Sequence, residues 1–438
     1  MEEGKEVNIE ELLVSQLRLI SFDNLPKNIV GRLQTILLHN LAVGMAGRNR
    51  KEYKILLEAY SKEKTHDRIL LEAVAMSQPA LEDFYGANHF GPLMIPNALY
   101  HGLVHQANGK ALIASLAAGF ALGIFLSDEL GKALAEKGFR GTPILGTLAA
   151  AASAAHIAGS CEQEFRHTLA HASANVFGNG ISLLAGTDEW RYQAGMGAYH
   201  ASFAYMLARN GEVGYTGFLF GEKGMAEIFA ESSSSNSVLD LASLEKIGVK
   251  RHPVHIFVLS PAEATKQLFL QIGPQSAEGI KRISVRVPAH QISEINLQKG
   301  PYENTSQAIV SIYTNVALIL LFGTTSDEIL KKANNPEVLR LIEKIEVLPD
   351  KRLGQYQCDV VLEKFDKTYT VSIENQLNLY FPSFESELTH LVEEAESWGV
   401  HPKSVELLAK EIRCLNERDS LSTLIEIYEN GLLSRMKG

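Results

Sequence analysis

Four stretches of the chain hold the side chains that can do chemistry. The first, EDFYGANHFGPLMIP, sets Glu82, Asp83 and His89 just ahead of an apolar helical run. A carboxylate near an imidazole can position it or tune it for proton transfer. The same residues also suit a turn closed by capping polar groups. The second, KGFRGTP, puts Arg140 in a glycine-flanked turn before a buried helix predicted to begin near Thr142. A helix N-terminus with a guanidinium beside it suits a carboxylate, and a surface arginine is the alternative. In the third, GTDEWRYQAGMGAYH, residues Trp190, Arg191 and Tyr192 precede a small-residue helix. There Arg191 is placed to reach a substrate, and Trp190 reads as core or cleft wall.

The fourth stretch, VKRHPVHIF, gathers Lys250, Arg251, His252 and His255 around Pro253, in a chain whose formal net charge is -10. Pro253 biases His252 toward extended backbone. Alternation would then put Lys250 and His252 on one side and Arg251 on the other. The cluster is either a solvated charge run or a clamp for carboxylates at the start of a second domain.

Other chemistries find no support. No P-loop, dinucleotide fingerprint, HExxH motif or GxSxG elbow occurs. Only Cys161, Cys358 and Cys414 are present, with no CxxC, which suggests a reducing compartment and offers no metal site. The acidic balance argues against nucleic acid, while small anions remain open because local field decides them. The opening MEEGKEVNIEELL is acidic, the opposite of a targeting leader. The apolar stretch Ala111 to Ser127 falls short of the ~20 residues a membrane span needs, and its Ala and Gly suit a buried helix. The expectation is a cytoplasmic protein with no membrane association.

These residues need elements to position them. At 438 residues the chain exceeds the usual size of one core, which predicts two domains. From about Glu10 to Ala230, apolar residues recur at three- and four-residue spacing, as in NIVGRLQTILLHNLAVGMAG and HDRILLEAVAMS. The Ala/Gly-rich runs KALIASLAAGFALGIFLSDEL and TPILGTLAAAASAAHIAG predict closely approaching helices at the centre of a bundle. The segment Ala230 to Leu241 reads as a linker. Beyond it, KRISVRVPAH and QYQCDVVLEKFDKTYTVSIE read as strands, with SQAIVSIYTNVALILLFG and NPEVLRLIEKIEVL as helices between them. The fold class expected is mainly α: an all-α helical domain over 1–242, an inserted α+β lid domain over 243–376, and C-terminal helices over 377–438 that pack back on the first domain.

In this order the stretches resemble the MmgE/PrpD family, which includes 2-methylcitrate dehydratase, cis-aconitate decarboxylase and iminodisuccinate epimerase. The resemblance runs from about residue 10 to 376. NHFGPLMIPNALYHG is similar to the family's "HPS..V.PA" segment, and KGFRGTPILGTLAAAASAAHIAG to its "GFHPT..LG" segment. RNGEVGYTGFLFGEKGM, VKRHPVHIF and SQAIVSIYTNVALILLFG follow in family order. The resemblance implies a homodimer with a large helical domain and a smaller lid. It implies action without a cofactor on small di- and tricarboxylates: proton abstraction next to a carboxylate, then loss of water or CO₂, or reprotonation. His89 matches a family histidine, Lys250 and His255 match active-site positions, and Tyr313 stands near the active-site tyrosine.

There are departures. The acidic "DFDDT" motif is missing, with only Glu82 and Asp83 near its place. Arg140 replaces the histidine of "GFHPT", and an arginine is a poor acid or base but a strong carboxylate ligand. The family lysine falls on Trp190 or on Arg191, depending on register. Leu259 replaces a second histidine. These changes point to a specialised lyase or isomerase (dehydratase, decarboxylase, cyclase or epimerase) in biosynthesis. His89, Lys250, His255 and Tyr313 are its expected catalytic residues. Arg140, Arg191, Arg251 and Asp83 are its expected ligands for a small anionic carboxylate. The alternative is a non-catalytic member that binds a carboxylate or a protein partner.

Overall fold

The computed structural model describes residues 9–232, 238–374 and 376–431. The polar centre of the expected linker, residues 233–237, lies outside them. The chain is mainly α with a small α+β part, and it divides into two compact units. The large unit holds residues up to Asn179, then Arg191–Val249, and then Phe381 onward; the small unit holds Gly180–Trp190 and Lys250–Tyr380.

The large unit is a helical bundle. Its first eight principal helices are α1 (Ile9–Arg18), α2 (Lys27–Gly47), α3 (Thr65–Ser77), α4 (Gly91–Val104), α5 (Gly109–Glu136), α6 (Gly141–Ile157), α7 (Glu162–Ser173) and α8 (Trp190–Arg209). The Ala/Gly-rich runs become α5 and α6, which pack on each other and bury Ala149 through Ala152 completely. Small side chains let helix axes approach closely, so dispersion contacts are dense. The α2–α3 crossing depends on the same device: a Cβ on Gly47 would lie 1.7 Å from the Ala75 carbonyl oxygen. By length and composition, α2 and α5 pass for membrane spans, but 83% and 89% of their apolar windows are buried within the protein. That is the mark of core helices.

The small unit carries α9 (Leu259–Ile272), α10 (Ile312–Phe322) and a four-stranded sheet. Its strands are β3 (Ile280–Pro288), β4 (Ile345–Asp350), β5 (Cys358–Lys364) and β6 (Thr368–Ile373), in the order β4-β3-β5-β6. β3 runs parallel to β4 and antiparallel to β5. Cys358, Val360 and Leu362 alternate into the core, on a sheet whose β5 and β6 pack against α9. The stretch SQAIVSIYTNVALILLFG, expected as one helix, breaks at Ser311. That residue is extended, and its hydroxyl accepts the Thr314 N–H to start α10 afresh.

The chain then returns to the large unit as α11 (Phe384–Ala395), α12 (Pro402–Arg413) and α13 (Ser422–Asn430). Leu391, Leu408, Ile412, Leu424 and Tyr428 join its core. The first strands form a short ribbon inside this unit: β1 (Asp83–Phe84) pairs antiparallel with β2 (Gly248–Val249). This pairing keeps the chain in the large unit until Val249, seven residues past the boundary read from composition. The excursion Gly180–Trp190 was not anticipated either. Its ties are the Gln307 amide to the Leu184 carbonyl at 3.1 Å and the Trp190 indole to the Ser306 hydroxyl at 2.9 Å.

Candidate functional site

In the large unit the turn between β1 and α4 builds the first constellation. Tyr85 and Asn88 exchange backbone hydrogen bonds of 2.9 and 3.0 Å across a turn in which Gly86 takes φ +57°. Asp83 is completely buried, and its carboxylate accepts the backbone N–H groups of Gly91 at 2.9 Å and Phe90 at 3.3 Å. It therefore closes the N-terminus of α4. A Cβ at Gly91 would collide with that carboxylate, 2.2 Å from Asp83 Oδ1. Burial pushes the Asp83 carboxyl up to about 6, against the two N–H bonds that favour its anion. Its side chain serves the start of the helix, because the tight turn puts both oxygens over backbone donors.

His89 is 7% exposed. Its Nδ1 lies 2.7 Å from the Asp83 carbonyl oxygen. A carbonyl only accepts, so Nδ1 carries a hydrogen; in the neutral ring the lone pair is then on Nε2. The His89 backbone N–H reaches the Thr142 hydroxyl at 3.2 Å, tying the turn to the first turn of α6.

Arg140 sits immediately before α6, after Gly138 at φ +81°. Its backbone N–H donates to the Gly178 carbonyl, and its guanidinium donates to Gln193 Oε1 at 3.2 Å. Burial lowers the guanidinium pKa, and the Glu82 carboxylate opposes the shift. Glu82 is itself 2% exposed. The large unit thus brings together Glu82, His89, Arg140 and the start of α6. Gln193, which orients Arg140, was missed by sequence reasoning. Its only signal is a lone amide in the otherwise small, apolar run QAGMGA.

Arg191 goes elsewhere. It is 7% exposed, and its Nε lies 3.9 Å from Glu52 Oε1. Arg50 shares that cluster: burial lowers it to about 10, with Glu52 opposing and Arg191 reinforcing. Arg191 thus stands in a buried cluster with Glu52 and Arg50. The first turn of α8 turns the side chain toward the 50–52 segment, and the Arg191 carbonyl accepts from the buried Gln78 amide.

In the small unit, Lys250 follows β2 directly and is 3% exposed. The segment after it bends at 251–254 instead of continuing extended, so strand alternation does not sort its charges. Arg251 is half-buried. His252 pairs with Glu263 at 2.9 Å. Burial alone would raise the Glu263 carboxyl. The His252 bond and charge, the Gln267 amide and Arg251 outweigh it and hold the group down at about 2.

His255 caps the short helical turn Ile256–Val258. Its Nδ1 faces the Phe257 N–H and the Asn296 amide, each at 3.4 Å. The Asn296 amide is oriented by the Val310 carbonyl at 3.0 Å. Both neighbours are donors, so Nδ1 accepts and the hydrogen resides on Nε2. Tyr313 lies at the start of α10, 8% exposed, with the Lys299 ammonium 4.8 Å from its ring centre.

Among the described residues, no group of three His, Cys, Asp or Glu side chains is arranged to hold a metal ion. Residues 70–237 match the MmgE/PrpD N-terminal domain, and residues 252–379 match the MmgE/PrpD C-terminal domain. The chain matches no curated protein.

Proposed function

Because the chain belongs to the MmgE/PrpD family, a family of dehydratase-like and related enzymes, we propose that it is a cofactor-independent lyase or isomerase acting on a small polycarboxylate. One observation carries the reading. His89 Nδ1 is held by the Asp83 carbonyl, which makes Nε2 the basic nitrogen of the neutral ring, in the same unit as the Arg140 guanidinium at a helix N-terminus.

In this reading His89 Nε2 takes the proton from a carbon next to a carboxylate. The C–H electron pair moves toward that carboxylate, and the enolate-like charge is met by cations, with Arg140, Lys250 and Arg251 assigned to them. Elimination follows when the pair forms a C=C bond and the neighbouring C–O bond breaks. The leaving hydroxyl takes a proton, from His255 Nε2–H or Tyr313, and departs as water. In a decarboxylation no C–H proton is removed first: the C–C bond to the carboxylate breaks, CO₂ leaves, and the carbon takes a proton from the general acid; in an epimerisation the deprotonated carbon is reprotonated on its other face. Arg140 in place of the expected histidine favours a carboxylate grip over proton transfer at that position, and with it a specialised biosynthetic substrate. A homodimer is proposed from the family resemblance. The free state of Cys161, Cys358 and Cys414 supports a reducing, cytoplasmic compartment.

Proton NMR in D₂O with a panel of di- and tricarboxylates tests the proposal, beside His89→Ala. Product formation or deuterium uptake next to a carboxylate, lost in the variant, is expected. A second reading, carboxylate binding without turnover, is favoured by the same Arg140. It predicts saturable binding that needs Arg140 and is indifferent to His89.

A further inference from the structure

Helix α2 carries two buried basic side chains seven residues apart, on one face of the helix. Arg32 is 8% exposed and His39 is 1% exposed. Both lie before the first matched family domain, which starts at residue 70. Each holds the backbone next to one strand of the β1–β2 ribbon. The Arg32 guanidinium donates through Nε to the Ile247 carbonyl at 2.8 Å, again to the same oxygen through Nη2, and through Nη1 to the Pro382 carbonyl at 3.1 Å. Ile247 is the residue before β2, and Lys250 is the residue after it.

His39 works on the other strand. Its Nε2 meets the Leu81 carbonyl, and its Nδ1 meets Glu387 Oε1 at 2.7 Å. The Leu81 carbonyl only accepts, so Nε2 carries a hydrogen, and one further proton is shared between Nδ1 and the Glu387 carboxyl. Glu387 is fully buried on α11, beyond the second matched domain, which ends at residue 379. Leu81 leads through Glu82 into β1, whose Asp83 carbonyl fixes the His89 tautomer.

We infer that the His39–Glu387 pair, with Arg32 as its companion, is a positioning device for the acid/base chemistry: it clamps the ribbon from which His89 and Lys250 are delivered. The inference rests on the reading of His89 as the base. None of the three is a catalytic residue: Arg32 and His39 act through backbone carbonyls, and Glu387 acts through His39. Their chemistry suits the task. A charge buried with a single geometry of partners tolerates little displacement, because moving it leaves a desolvated group unpaired. Burial lowers Arg32 to about 10, with the Glu387 and Asp83 carboxylates opposing that shift, so cations and anions here form one neutralised cluster.

The test is nitrogen NMR of the full-length protein labelled in histidine, with the His89 signals assigned by His89→Gln. Single removal of one partner from a buried pair can unfold the protein. The variant to use is therefore the double one, His39→Gln with Glu387→Gln, which removes both charges and keeps hydrogen-bonding side chains. Tyr428→Phe, which loses a hydrogen bond to Glu72 elsewhere in the same unit, serves as a control for general loosening. The inference expects the double variant to mix the His89 tautomers, moving both ring nitrogens toward intermediate shifts, while the control leaves them in place. Deuterium exchange into a responding polycarboxylate should fall at least tenfold through kcat with little change in KM. Unchanged His89 signals in the double variant, or equal changes in the control, overturn the inference. If His89 responds as expected and no polycarboxylate reacts, the positioning role stands and the assigned chemistry fails.

Discussion

The turn around His89 and the segment around His255 hold the same side chain in opposite hydrogen-bonding roles. In the large unit, Nδ1 donates to a main-chain carbonyl, so in the neutral ring Nε2 accepts. In the small unit, Nδ1 accepts from a main-chain N–H and an asparagine amide, so Nε2 is a donor. Their holders differ as well. His89 is set by backbone in a turn anchored to two helices, whereas His255 depends partly on one side chain, Asn296. A residue's type therefore gives the chemistry it can do, and its first hydrogen bond selects which half of that chemistry is available.

The comparison breaks at its strongest point if His89 is dispensable. Replacing it by Gln should lower turnover or exchange by roughly 10³-fold, within the range of a lost general base. The remaining activity should no longer decline on the acidic side of the pH profile, where protonation of a base abolishes function. Measured kcat and kcat/KM against pH decide this.

The next effect separates the anchor from the chemistry. The Asp83 carboxyl is raised in the folded protein to about 6 from 3.8. The favourable contribution this makes is therefore complete below about pH 4 and is lost as pH rises through about 6. From acid to neutral pH, the wild type should lose about 3 kcal/mol of stability relative to Asp83→Asn, as the size of the shift implies. Urea unfolding at a series of pH values measures it. The His89 tautomer should survive the substitution, because the Asp83 carbonyl is main-chain.

His255→Gln should cost about 100-fold, and it should remove the alkaline limb of the profile, where an acid must keep its proton. Loss on the acidic limb instead would reverse the assignment. The smallest effect belongs to Asn296→Ala. Removing one orienting bond should lower kcat about tenfold or less, with the Phe257 N–H still in place. An equal loss in Asn296→Ala and His255→Gln would mean that the asparagine, not the imidazole, meets the substrate.

Local pattern made much of this protein legible. Helical periodicity and Ala/Gly content located α2, α3, α5 and α6, and the alternation in CDVVLEK located β5. The same reading brought out His89, Arg140 and the cluster at 250–255. Partners distant in sequence were not legible. Nothing local to His39 announces a glutamate 348 residues away, and nothing local to Arg140 announces Gln193 on another helix. The structural work of Asp83 and Arg191 was not legible for a related reason: a carboxylate over helix N–H groups and a guanidinium near Glu52 both depend on neighbours that only the fold supplies. The break at Ser311 was hidden because its flanks are uniformly apolar. Only the cap, a side-chain bond to Thr314, interrupts the helix.

The separation between His39 and Glu387 also bears on the order of events during synthesis. The chain emerges from its N-terminus, so α2, the His89 turn and the whole small unit are made before α11 exists. Until then His39 lacks its buried carboxyl partner. On the inferred role of that pair, a chain that stops short of Glu387 contains every residue assigned to the reaction without the full means to align them.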